Sequence, residues 1–242
     1  MELKPIRTDG QPVQPGYEYQ PAEEIAVSPE QGQKVLRNTY MLLAVTMVPT
    51  IIGAFIGMQT ASIVMGAPII SSLLVLGVVI GLQFAIAANR NSGIGVALLL
   101  LMTGILGWWL GPLLNVALAM KNGMQLVGYA AAGTGIIFFA MGAIATTTKR
   151  DFSFMGKFLF VGMIALLIAM LANMFLQIPA LALTISTLVI VVFSLFLVYD
   201  LNRIVRGGET NYIMATTGVY MSLFNIFANL LHLLLALAGD RE

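Results

Sequence analysis

Apolar residues come in seven long runs, at about 36–58, 68–89, 93–119, 127–147, 154–176, 180–202 and 212–238. Each is near the ~20 residues that a helix needs to cross a hydrocarbon core ~30 Å thick. None alternates polar with apolar residues, as the strands of a membrane β-barrel would. The pattern predicts an all-α membrane protein, a bundle of seven transmembrane helices. The breaks between runs are short: Arg90-Asn91-Ser92, Lys121-Asn122-Gly123, Lys149-Arg150-Asp151, Gln177-Ile178-Pro179, and Arg203 to Asn211. They predict helical hairpins.

Ahead of the first run lies a stretch of another kind. Residues 1–27 hold Pro5, Pro12, Pro15 and Pro21, few aliphatics, and mixed charges such as Glu23 and Glu24. Such a segment buries too little apolar surface to offset its ordering entropy, which predicts a disordered tail. Ser28-Pro29-Glu30-Gln31 predicts a helix start, with Ser28 as N-cap, Pro29 in the first turn and Gln31 closing a capping box. The transmembrane domain then runs over 28–242. The first apolar run begins near Tyr40, too far in for a cleavable signal peptide, so the first span is expected to stay as an anchor.

Composition narrows the chemistry. Apolar residues make up 59% of the 242, charged residues 10%, and mean hydropathy is +0.92. With so little charge, the surface must face lipid. The 12 basic and 11 acidic residues nearly cancel, leaving no basic field for nucleic acid. There is no cysteine and a single histidine, His232, so thiol chemistry and the common zinc and haem ligand sets are out of reach. No nucleophile–base pair or phosphate-cradling loop appears. The expectation is a non-enzymatic protein without cofactor or resident metal.

Charge placement predicts orientation. Lys4, Arg7, Lys34, Arg37, Arg90, Lys149, Arg150, Lys157, Arg203 and Arg206 fall on one side of the seven-span arrangement, and only Lys121 and Arg241 on the other. The positive side is expected to face the cytoplasm. The amino terminus would be cytoplasmic and the carboxyl terminus external.

Small residues recur at four-residue spacing: Gly53 and Gly57, Gly77 and Gly81, Gly107 and Gly111. They read as packing faces for close helix approach. Trp108 and Trp109 read as packing or interface anchors.

Polar groups at membrane depth carry the functional expectations. Asp200 is the one acid inside a predicted span, ~30 Å along the sixth, near its cytoplasmic boundary. It is either a titratable ion or pH latch or a carboxylate paired with Arg203, Arg206, Arg90 or Arg37. On the seventh span Ser222, Asn225 and Asn229 share one helical face. They either line a polar cavity or hydrogen-bond across to neighbouring helices, as do Gln83 and Asn173. His232, toward the far end of the same span, is expected to be packed or interfacial.

Several strings together resemble the Bax inhibitor-1 (TMBIM) family. Thr147-Thr148-Lys149-Arg150-Asp151-Phe152-Ser153-Phe154-Met155-Gly156 is similar to its hallmark loop, and Tyr199-Asp200-Leu201-Asn202-Arg203-Ile204 to its sixth-helix motif. Val219 to Phe227 is similar to the last-helix motif and Gly104 to Pro112 to the third-helix glycine segment. The likeness covers ~30 to 238. The tail and Lys34-Val35-Leu36-Arg37-Asn38-Thr39-Tyr40 resemble the proteobacterial branch, whose known member modulates the membrane protease FtsH.

The resemblance implies a bundle around a central last helix. It also implies a protease modulator or substrate-like partner in the inner membrane, acting in membrane-protein quality control. A pH-sensitive calcium or other cation leak through an aspartate pair is the alternative. Asp200 matches the first aspartate, whereas Ser222 stands at the second. One carboxylate beside a hydroxyl lacks the like-charge partner with which it would share a proton, and supplies few of the 6 to 8 oxygens that Ca²⁺ prefers.

Overall fold

The computed structural model describes residues 29–148 and 150–239. They form α1 (Pro29–Gln59), α2 (Ala61–Gly66), α3 (Pro68–Ala88), α4 (Gly93–Ala119), α5 (Gly123–Thr147), α6 (Met155–Leu176), α7 (Pro179–Val205) and α8 (Tyr212–Gly239). No strand occurs among the described residues. Seven of these helices are long and apolar enough to cross a membrane. The tail 1–27, the cap residue Ser28, Lys149 and Arg241 lie outside the described residues.

The predicted spans hold to within a few residues, and α1 begins where Pro29 was expected to open it. Helix α1 starts at Pro29, so its polar first turns extend well ahead of the apolar run. The stretch between the first two spans is no bare connection but carries α2, six residues and ~9 Å long. Pro68 then opens α3, where its missing N–H costs no helical hydrogen bond.

Two of the three glycine pairs make the tightest contact in the bundle. A Cβ on Gly53 would strike the Gly104 carbonyl, and one on Gly57 the carbonyl of Trp108. Reciprocally, a Cβ on Gly107 would strike the Thr50 carbonyl, and one on Gly111 the backbone of Gly57 and Met58. Helices α1 and α4 therefore meet backbone to backbone. The Trp108 indole N–H donates to Thr60 Oγ1 (2.8 Å) and the Asn115 amide to the Met58 carbonyl (2.7 Å), tying the far end of this seam.

The third pair departs from expectation. Gly77 and Gly81 are exposed, and a Cβ on either would meet nothing within 4 Å. They face the surroundings, not a neighbouring helix.

Helix α8 is the axle, packed against α1, α3, α4, α5 and α7. The Tyr220 hydroxyl, buried at its middle, lies 2.8 Å from Thr50 Oγ1 and 3.3 Å from the Thr103 carbonyl, joining α8 to α1 and α4. Farther along, His232 Nδ1 is 2.9 Å from Ser186 Oγ of α7, so this histidine is packed. By contrast α6 lies along α7, and among its residues only Leu159 is buried. Phe84, Phe139 and Phe158 are 73%, 74% and 77% exposed, the surface expected where lipid is as apolar as the core.

Candidate functional site

Asp200 sits five residues before the end of α7, facing Gly218 of α8. A Cβ on Gly218 would come within 2.7 Å of Asp200 Oδ2, so the bare glycine is what leaves room for the carboxylate. Ser222 follows one turn later on α8. Asp200, Gly218 and Ser222 open on one cavity of about 280 Å³, shared with Gln83, Arg203, Glu209 and Met221. Gln83, expected either to line a polar cavity or to bond across helices, contributes to this lining.

Arg203 lies one turn beyond Asp200 but pairs with another acid. Its Nη2 is 3.4 Å from Glu209 Oε2 and donates to the Gly208 carbonyl (3.2 Å), while the guanidinium stacks over the Tyr199 ring at 5.4 Å. The α7–α8 turn brings Glu209 back: Gly207 takes a positive φ of 78°, and the Glu209 N–H donates to the Arg203 carbonyl (3.2 Å). Asn211 then caps α8, its Oδ1 accepting the Ile213 and Met214 N–H groups at 3.0 and 3.1 Å. Its amide donates to the Arg90 carbonyl (2.8 Å), fastening the α3–α4 turn to the same end of the bundle.

The other candidate arginines stand elsewhere. Arg90 gives that carbonyl, Arg206 ends α7 with its N–H on the Asn202 carbonyl (2.9 Å), and Arg37 is exposed on α1. None of the three lines the Asp200 cavity. Asn225 and Asn229 line a second cavity of about 400 Å³, with Met221 shared between the two. Both amides turn back on their own helix, Asn225 to the Met221 carbonyl and Asn229 to the Asn225 carbonyl, each at 2.8 Å. A helical asparagine can satisfy its donor this way without a partner helix. Asn173 likewise makes no cross-helix bond: its Oδ1 accepts the Ile178 N–H at 3.1 Å and closes the α6–α7 turn.

Three residues of this end were not singled out from the sequence. Glu209 supplies a second carboxylate to the cavity from a loop, held there by its ion pair with Arg203. Gly218 gave a faint signal as a glycine inside a helix. Asn202 is buried and pins the α5–α6 loop: its amide donates to the Ala145 and Arg150 carbonyls (3.2 and 3.4 Å), and its Oδ1 accepts the Phe152 N–H (3.2 Å). In that loop the hydroxyl and N–H of Ser153 hold the exposed Asp151 carboxyl below the usual carboxylate range. No cluster of three or more histidine or acidic groups able to hold a metal occurs among the described residues.

Residues 32–239 match the family described as inhibitor of apoptosis-promoting Bax1. The chain belongs to the Bax inhibitor-1 family. Among relatives in this Bax inhibitor-1 group, it is 42% identical over 201 residues to the modulator of FtsH protease YccA of Escherichia coli K12, covering 83% of this chain and 89% of that protein. It is equally similar to the inner membrane protein YccA of Escherichia coli O6:H1, over the same share of each chain. An uncharacterised membrane protein of Vibrio cholerae is 41% identical over 204 residues, covering 84% of this chain and 90% of that one.

Proposed function

We propose that this Bax inhibitor-1 protein is a non-enzymatic modulator, or substrate-like partner, of the membrane protease FtsH in the bacterial inner membrane, serving membrane-protein quality control. The observation that carries this reading is the 42% identity, along 83% of the chain, to a protein named as a modulator of that protease. The ten-to-two distribution of basic residues supports a cytoplasmic amino terminus. Residues 1–27, ahead of α1, are the segment we assign to engaging the protease on that side.

Deletion of residues 2–27 should leave the bundle inserted, with a reporter fused after Glu242 still reading external. It should lengthen the half-life of the protein and weaken co-purification with FtsH, measured by pulse-chase and by capture from native membranes. Unchanged turnover together with unchanged capture would rule the reading out.

A second reading, a pH-sensitive cation leak, is favoured by the carboxylates of Asp200 and Glu209 and the Ser222 hydroxyl opening on one cavity. Ser222→Asp would add a carboxylate on α8 to the cavity that holds Asp200, and two close carboxylates share a proton. In proteoliposomes between about pH 5 and 8, the native protein is expected to pass little Ca²⁺ and Ser222→Asp to gain a pH-dependent flux. Strong gated flux in the native protein, lost in Asp200→Asn, would instead make the leak the primary activity.

A further inference from the structure

A groove of about 610 Å³ runs between α1 and α5 at the basic end of the bundle, away from the Asp200 cavity. Its walls are Tyr40, Ala44 and Met47 on α1 and Phe138, Gly142 and Ala143 on α5, with Leu223 of α8 at its floor. Ala44, Gly142 and Ala143 keep it open, and Tyr40 meets Phe138 edge to ring at 5.8 Å across it. From Leu36 to Met47 the groove is ~16 Å long, about the depth of one leaflet.

We infer that this groove seats one acyl chain of an anionic phospholipid, with its phosphate held at the mouth by Arg37 and Tyr40. Volume separates the possible occupants. A methylene displaces roughly what a water does, about 30 Å³, so the groove has ample room for one acyl chain along its ~16 Å. A helix ~10 Å across fills roughly 1,250 Å³ over the same length, so only about half of it could sit within the groove.

Charge sets the headgroup. Arg37 and Lys34 are exposed on the first turns of α1, and Arg150 is exposed three residues beyond α5. Among the described residues the nearby acids are Glu30, at the very start of α1, and Asp151, engaged by Ser153. The Arg37 guanidinium and the Tyr40 hydroxyl have no hydrogen-bond or ion-pair partner among the described residues. A tyrosine one turn deeper along the span than an exposed arginine matches a phosphate ester at the arginine with its chain running on past the tyrosine.

The inference is independent of the protease reading. It is tested on the full chain in nanodiscs of equal phosphatidylglycerol and phosphatidylethanolamine, released and weighed by native mass spectrometry. The native protein should retain one lipid, phosphatidylglycerol favoured by roughly fivefold, the effect of one basic residue near an anionic headgroup. Ala143→Phe, at an exposed position, fills the groove and should abolish retention. Arg37→Gln should keep the lipid and lose the preference. If Ala143→Phe fails to fold, Ala44→Phe fills the same groove from the opposite wall. Retention unchanged by both filling variants, or no retention by the native protein, overturns the inference. A benzophenone side chain at Met47 should capture lipid in the membrane; capture of a second polypeptide there would equally overturn it.

Discussion

Gly111→Ala should lower the midpoint of thermal unfolding by about 6 to 12 °C, while Gly77→Ala should leave it level or slightly raised. The two substitutions add the same methyl group to the same residue type inside a long apolar helix. At Gly111 that methyl lands on the backbone of Gly57 and Met58, which cannot rotate away as a side chain could. Helices α1 and α4 must separate, with loss of the van der Waals contact that holds membrane helices together. Overpacking on this scale costs about 3 kcal/mol, and each kcal/mol moves the midpoint of a chain this size by about 2–4 °C. At Gly77 the methyl meets nothing within 4 Å, so only the better helix propensity of alanine remains, up to about 1 kcal/mol in its favour. Scanning detergent-solubilised protein by intrinsic fluorescence reads both values. Equal midpoints for the two variants would show that α1 and α4 do not meet backbone to backbone.

Asn202→Leu should destabilise the protein by about 2 kcal/mol and open the α5–α6 loop to trypsin at a rate roughly tenfold higher or more. The side chain is close in size but leaves the Phe152 N–H and the Ala145 and Arg150 carbonyls without their bonds. Unmade bonds at a buried place cost more than made ones contribute. The cut is expected at Arg150, which this asparagine holds by its carbonyl. Time courses on sealed vesicles of inverted orientation measure it. Equal cleavage rates for native protein and variant would mean that the loop is held by something other than Asn202.

The spans were legible because lipid leaves one requirement on a crossing helix, an unbroken apolar length, and the sequence states that length directly. Which face looks inward was not legible, since core and lipid are equally apolar. Gly77-Gly81 and Gly107-Gly111 carry the same spacing, yet only the second pair lies against another helix. Asp200 stood out as a lone acid at depth. Glu209, beside it in space, did not, because a carboxylate in a loop at the water boundary attracts no notice. Ser222, Asn225 and Asn229 could be assigned to one face, but not whether their polar groups reach across. An amide can satisfy itself on the preceding turn, as Asn225 and Asn229 do. The short α2 escaped because six residues are too few to show a helical period.

The place of α8 at the centre of the bundle bears on how the protein is made. Translation runs from the amino end at about 5–20 residues per second, so the helix that touches five others leaves the ribosome after the other seven described helices. Until it arrives, α1 and α4 can clasp one another, but α5 and α7 surround a place still filled by lipid. A ribosome stalled before residue 212 therefore releases an inserted chain with no axle. Its half-built interior is open to the membrane, and such a nascent product would be a target for the cell's clearance machinery.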